Sequence, residues 1–462
     1  MNDFVRMVLD RLQSSVVLIL LAIPLIALCL LIPYWIYKKK KKPFPWKKSI
    51  MVVMLSGYLL ALLFLTLIRG GFGIRSMNLH LFRAWREAWN NFFVKSWLHV
   101  LLNVGMFVPL GVLLPLVSTK FRRWHWTILS GFGLSLLIEL IQFCLGRGVC
   151  DVDDLFTNTL GCIIGFFAVM LILSLFQNQK NWKPAVTYGS LFLVPIIAVS
   201  GIFAAYEIKE YGNLADAPTY TNKTAGVTWS LDCKLPAVGE QVAVFRTQTL
   251  TTDQCDALAE NLASIAGSSV AMTTYYQEMA YYNLQHGYLS VDFFGGGYSL
   301  VLGGAKEDET TWIETDRPSL ESALEKYSVM VPESAALTYE GEGWHSFTID
   351  RMVEDPLMLD GKVRVRYAPD GEILAIVNEL LSYTYYDTVS VISPEEAYRR
   401  LCAGKFRDEG YFERKAPKEI SVTDCVLDFE IDTKGFCQPV YRFTVEGLDT
   451  VYHNEVMIPA MQ

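Results

Sequence analysis

Residues 154–176 read DLFTNTLGCIIGFFAVMLILSLF. No residue after Asp154 in this run is charged, and the run supplies the ~20 mostly apolar residues that a membrane-spanning helix needs. Working outward, five more windows have the same character: roughly 16–37, 49–69, 97–117, 127–145 and 185–206. The first is not a cleaved signal, because it ends in Tyr34-Trp35-Ile36-Tyr37 and lacks a small-residue cleavage site. The expected architecture is a multi-pass α-helical membrane bundle of about six transmembrane helices.

Lysine and arginine orient such a bundle. Lys38–Lys42, Lys47 and Lys48 fill the loop between the first two spans, Lys120, Arg122 and Arg123 the loop between the third and fourth, and Lys180 and Lys183 the loop between the last two. These alternate loops belong on the cytoplasmic side. The N-terminus and everything after Tyr206 are then extracytoplasmic. The 70–96 loop departs from the rule, since it holds Arg75, Arg83, Arg86 and Lys95 on the outer side.

The charge split marks the main boundary. Residues 1–206 carry 20 basic and 7 acidic side chains, a net +13; residues 207–462 carry 20 and 41, a net −21. An acidic second half argues against nucleic acid as a partner, which needs a basic face. Four regions follow: residues 1–48 with the first span and the Lys-rich loop, 49–180 as the membrane core, 181–206 as the last span, and 207–462 as an acidic extracytoplasmic domain.

Polar residues inside or at the ends of the spans are costly there and need a partner or a wet cavity. Asn103 lies six residues inside the third span, and Glu139 seven residues before Gly146 at the end of the fourth. At ~1.5 Å rise per residue both sit about 10 Å below the outer surface. Gln142 shares a helix face with Glu139. Arg147, Asp151, Asp153, Asp154 and Asn158 follow at the same level. These eight residues are the candidate site. They read either as an interhelical clamp, with Glu139 pairing Arg147 or bonding Asn103, or as an outward-facing site for a polar headgroup or cation. Asp151, Asp153 and Asp154 are possible ligands for a hard metal. In the outer loop Phe82, Trp85, Trp89 and Phe92 recur at helical spacing, as in a helix lying at the interface or one packed on the bundle.

The same residues carry a family resemblance. Met77-Asn78-Leu79-His80-Leu81-Phe82-Arg83 is similar to the Asn-Leu-x-Pro-Phe stretch of VanZ-like proteins, with Leu81 where proline is common. Asn103-Val-Gly-Met-Phe-Val-Pro-Leu-Gly111 resembles the family's Asn…Phe-x-Pro-Leu-Gly signature. Glu139-x-x-Gln142, Arg147, Asp151-x-Asp153-Asp154 and Asn158-x-x-Gly161 match its remaining blocks in order and spacing. The resemblance covers about residues 50–180. It implies a place in the cell envelope of Gram-positive bacteria and an association with tolerance of glycopeptide antibiotics, notably teicoplanin.

Beyond Tyr206 the pattern is α+β with antiparallel sheets. Helices are expected from Thr252 to about Ser264, over about 319–327, and from Ser393-Pro394-Glu395-Glu396, where serine caps, proline fits the first turn and acids suit the positive end. Hairpins are expected over 288–302, over 363–377 around Pro369-Asp370-Gly371, and over 420–446 around Asp432–Gly435. Two subdomains fit the alternation. Ser393-Pro-Glu-Glu-Ala-Tyr-Arg-Arg-Leu is similar to part of PepSY-like modules. Cys425 and Cys437 flank a turn and are placed to pair; Cys233–Cys255 is a second pairing.

No Gly-x-Ser-x-Gly, His-Glu-x-x-His or Ser-x-x-Lys set with partners is present, no cofactor is called for, and the chain reads as a binding protein before an enzyme. The first expectation is a site at the outer leaflet for a membrane lipid or lipid-linked precursor headgroup. The alternatives are an enzyme modifying such a headgroup, and a sensor or scaffold that works with a membrane protein partner.

Overall fold

The computed structural model describes residues 34–41, 43–67, 74–177, 182–276, 279–303, 312, 314–354, 356–408, 417–448 and 454–462. The chain falls into two compact units, one ending at Glu210 and the other starting at Tyr211.

In the first unit the elements run α1 (Trp46–Leu67), β1 (Ile74–Asn78), α2 (Arg83–Asn91), α3 (Val94–Val117), α4 (Trp124–Leu145), β2 (Arg147–Asp151), α5 (Val152–Gln177) and α6 (Lys183–Ile208). Five of these helices, α1, α3, α4, α5 and α6, are long and apolar enough to cross a membrane. They coincide with five of the six hydrophobic windows. The first window, 16–37, lies outside the described residues except for its last few.

With lipid as apolar as leucine, helices in a bilayer associate through close packing of small residues. Here Gly161 and Gly165 of α5 form a Gly-x-x-x-Gly face. A methyl group at Gly161 would collide with the Val104 carbonyl oxygen, and one at Gly165 with that of Val108. Gly111 of α3 meets the Cys162 carbonyl in the same way. The α3 and α5 backbones therefore cross in contact, and Phe107, Leu110, Leu114 and Cys162 form the buried centre with Leu62 and Ile138.

The aromatic face of α2 packs on the bundle. Trp85, Trp89 and Phe92 gather with Ala88, Trp97, Val100 and Phe203. Phe92 stacks on Tyr206 with ring centroids 3.3 Å apart and planes within 8°. Phe82 departs from this group and lies edge-on to Phe156.

The second unit is a sheet in the order β3 (Thr228–Leu231), β14 (Glu419–Ile431), β15 (Phe436–Glu446), β4 (Gln241–Thr247), β13 (Leu381–Ser390), β11 (Leu357–Tyr367), β12 (Ile373–Asn378), β8 (Tyr298–Leu302), β7 (Gly287–Asp292), β6 (Met279–Leu284) and β5 (Val270–Tyr275). Strand β10 (Trp344–Glu354) also pairs β11, β9 (Ala336–Gly341) pairs β10, and β16 (Glu455–Pro459) pairs β15. Neighbours are antiparallel except β3 and β14.

Two cores fill it. One packs α7 (Thr252–Ile265) and α8 (Arg317–Glu325) on β6–β8 and β10–β12. The other packs α9 (Pro394–Cys402) on β14–β16. Local signals set the helix starts. Thr251 and Gln254 form a capping box, and the Ser393 hydroxyl accepts the Glu396 amide at 3.1 Å. Between the cores, Arg351 bridges Asp360 at 2.6 Å and Asp428 at 2.7 Å, and Arg442 holds the other Asp428 oxygen.

The expected disulfides do not form. Cys425 pairs in register with Phe443 and Cys437 with Ile431, six residues apart along the ladder or roughly 20 Å, far beyond bridging distance. Cys233 lies against the second core and Cys255 within the first. Cys233, Cys255, Cys425 and Cys437 are free thiols.

Candidate functional site

At the end of the bundle where α4 stops and α5 starts, β1 and β2 pair in parallel, placing Asn78 opposite Asp151. Gly146 turns α4 into β2 with φ 63°, a left-handed conformation that glycine adopts without steric cost.

Asp151 organises this end. Asn78 Nδ2 donates to both of its carboxylate oxygens, at 3.1 and 3.0 Å. The same carboxylate accepts the Asp153 amide at 2.8 Å and so caps the first turn of α5. The Asp151 amide donates to Glu139 Oε2 at 3.0 Å. Glu139, only 3% exposed, is thereby tied to the strand that follows its own helix. The Asn103 amide, one of the two partners expected for Glu139, goes to Asp154 instead.

Asp153, 1% exposed, serves another helix. Its two oxygens accept the amides of Phe82 and Ala84, at 2.5 and 2.6 Å. Phe82 precedes α2 in a left-handed conformation, and no side chain at that position caps the helix. A carboxylate there satisfies orphan N–H groups and faces the positive helix end.

Asp154 takes the Asn103 amide from α3 at 2.5 Å. One turn deeper, Asn158 donates to Ser135 of α4 at 2.9 Å, while its buried Oδ1 has no partner. Gln142 points away from this group and donates to the Thr66 carbonyl of α1 at 2.9 Å. Arg147 lies in β2 by its backbone; its side chain is outside the described set.

The structure thus joins Asn78, Asn103, Glu139, Asp151 and Asp154. Asp153 and Gln142 are turned to other helices, and Asn158 sits one turn below. Sequence reasoning missed two members. Asn78 stood in a quoted motif without being assigned to the site. His99, one helical turn before Asn103, is exposed and lies near Asp154.

Asp151 and Asp154 are half-buried, whereas Glu139 and Asp153 are buried. The accessible chemistry is therefore two carboxylates beside an imidazole, on a frame held by buried acids and amides. Asp151, Asp153 and Asp154 turn to different partners. Among the described residues no three His, Cys, Asp or Glu side chains are grouped to hold a metal ion.

Comparison with known proteins agrees with this region. Residues 52–177 match the family model described as VanZ/LLP1. Protein VanZ of Enterococcus faecium is 28% identical over 158 residues, covering 32% of this chain and 89% of that protein. The Bacillus megaterium YpeB C-terminal domain aligns with 46% of this chain and 99% of its own at 11% identity, with a TM-score of 0.20. That superposition is loose, and the α+β character of the second unit rests on its own strand pairing.

Proposed function

Taking residues 52–177 as a VanZ-like region within a helical membrane unit, we propose that the protein acts in the cell envelope by binding a polar headgroup at the outer leaflet. The observation that carries the reading is the pair of half-buried carboxylates, Asp151 and Asp154, each oriented by an amide from another element, Asn78 and Asn103. A group preorganised in this way loses little freedom when a ligand arrives. Lysine-rich loops at the opposite end of the bundle support placing this end outward. Headgroups of membrane lipids and of lipid-linked wall precursors offer ammonium, amide and hydroxyl donors that such carboxylates accept. Occupying a precursor in this way would shield it from glycopeptide drugs, teicoplanin among them.

The test is genetic and uses isosteres that leave shape intact. Cells lacking the gene are complemented with the parent or with Asp154→Asn or Asp151→Asn, at matched membrane levels. Loss of teicoplanin tolerance in both variants supports the reading. Full tolerance in both refutes it.

A further inference from the structure

At one end of the sheet of the second unit, β5–β8 have two unlike faces. Ala280, Tyr282, Leu284, Leu289, Val291 and Leu300 face the core with α7 and α8. The alternate positions face away from it, and two of them carry tyrosine. Tyr281 sits opposite Ser290 and Tyr288 opposite Asn283, so the two tyrosines are diagonal neighbours across β6 and β7. Their rings stack at 5.8 Å with planes within 18°. Tyr276, at the end of β5, stands edge-on to Tyr281 at 6.5 Å and 82°.

This group is not core. Tyr282 between them in sequence is 1% exposed, whereas Tyr288 is 40% and Tyr276 58% exposed, with Met272 of the neighbouring strand at 56%. Contiguous exposed aromatic surface on a folded unit marks a binding surface. Tyrosine suits that use because it offers a large, rigid face and a polar tip at low entropic cost.

We propose that this tyrosine platform binds an uncharged glycan chain. A pyranose ring has an apolar C–H face and a rim of hydroxyls. Stacked tyrosine rings match the face, and Asn283, Ser290 and the phenol hydroxyls match the rim. Charge narrows the choice: residues 207–462 carry a net −21, which repels anionic polymers and nucleic acid. Among the described residues β5 ends the sheet, and an extended peptide would instead pair along that edge. The occupant is a glycan strand of the envelope, a source that rests on the outward placement proposed above. Binding itself does not depend on that placement, because it is read on purified protein.

Full-length protein in detergent is titrated with the β-1,4-linked tetrasaccharide of N-acetylglucosamine, followed by saturation-transfer NMR. Saturable binding is expected. Tyr281→Ala and Tyr288→Ala should each weaken it by roughly tenfold or more, with unchanged thermal midpoints. Tyr288→Phe keeps the ring and should stay within about threefold of the parent. Absence of saturable binding to the parent, or binding indifferent to both alanine variants, overturns the proposal. Displacement of the sugar from the parent by a strand-forming peptide, with no effect of Tyr288→Ala, also overturns it. Neither of those results touches Asp151 or Asp154, so failure here leaves the membrane-site reading standing.

Discussion

Asp153 and Ala84 join two helices that sequence keeps apart: the carboxylate at the start of α5 accepts the amide at the start of α2 at 2.6 Å. The aspartate that looked like a metal ligand on sequence grounds is a helix cap acting across the fold. Removing a capping carboxylate costs about 1 kcal/mol, and leaving buried N–H groups unsatisfied adds ~1–3 kcal/mol. Asp153→Ala should therefore lower the thermal midpoint of the protein in detergent. Asp153→Asn keeps one acceptor and should lose less. Equal losses would speak against the cap.

The α3–α5 crossing makes a sharper stability prediction. Gly161→Val places side-chain atoms against the Val104 carbonyl, backbone that cannot move aside. Such overpacking costs typically ~1–3 kcal/mol or more, so folded protein in the membrane should fall steeply. Gly133→Ala, on α4 with nothing within 4 Å of the added methyl, should be recovered at parental levels. Similar yields of the two variants would contradict backbone contact at the crossing.

Acid should loosen the second unit through the bridge between its cores. Burial pushes the Asp428 carboxyl up, but hydrogen bonds from Arg351 and Arg442 outweigh it and hold the group below its usual range. A depressed carboxylate contributes stability that is complete above its unfolded value, about 4, and lost as pH falls through the lower folded value. Asp428→Asn should be less stable at neutral pH and should flatten the acid limb of the unfolding profile. An acid limb unchanged in that variant would place the sensitivity elsewhere.

Thiol chemistry gives an independent check on the α+β unit. Burial pushes the thiols of Cys425 and Cys437 up to about 12, so both stay protonated near neutrality. Alkylation by iodoacetamide at pH 8 should be more than roughly tenfold slower in the folded protein than in denaturant. Mass spectrometry without reduction should find no Cys425–Cys437 bridge. A bridged peptide would contradict the strand register.

What the sequence revealed follows from the range of the forces involved. Uninterrupted apolar runs and basic loops mark α1, α3, α4, α5 and α6, because the bilayer acts on each helix separately. Turn residues and caps mark the hairpins and the starts of α7 and α9 for the same local reason. The ladder of β1 on β2 has no such signal. Each strand is five residues long, and its pairing joins segments on either side of three helices, α2, α3 and α4. The destinations of Asp153 and Gln142 were hidden likewise, since a side chain's type does not say which distant helix end or carbonyl it will meet. His99 could have been found: it stands one turn from Asn103, on the face that Asn103 uses.

Binding at the outer leaflet requires that the carboxylate end of the bundle open to the outside of the cell. His99→Cys, in a chain whose native cysteines are replaced by alanine, places one exposed thiol beside Asp154. Intact cells are treated with a membrane-impermeant maleimide. We predict labelling without permeabilisation; a thiol that reacts only after the membrane is opened would contradict the account.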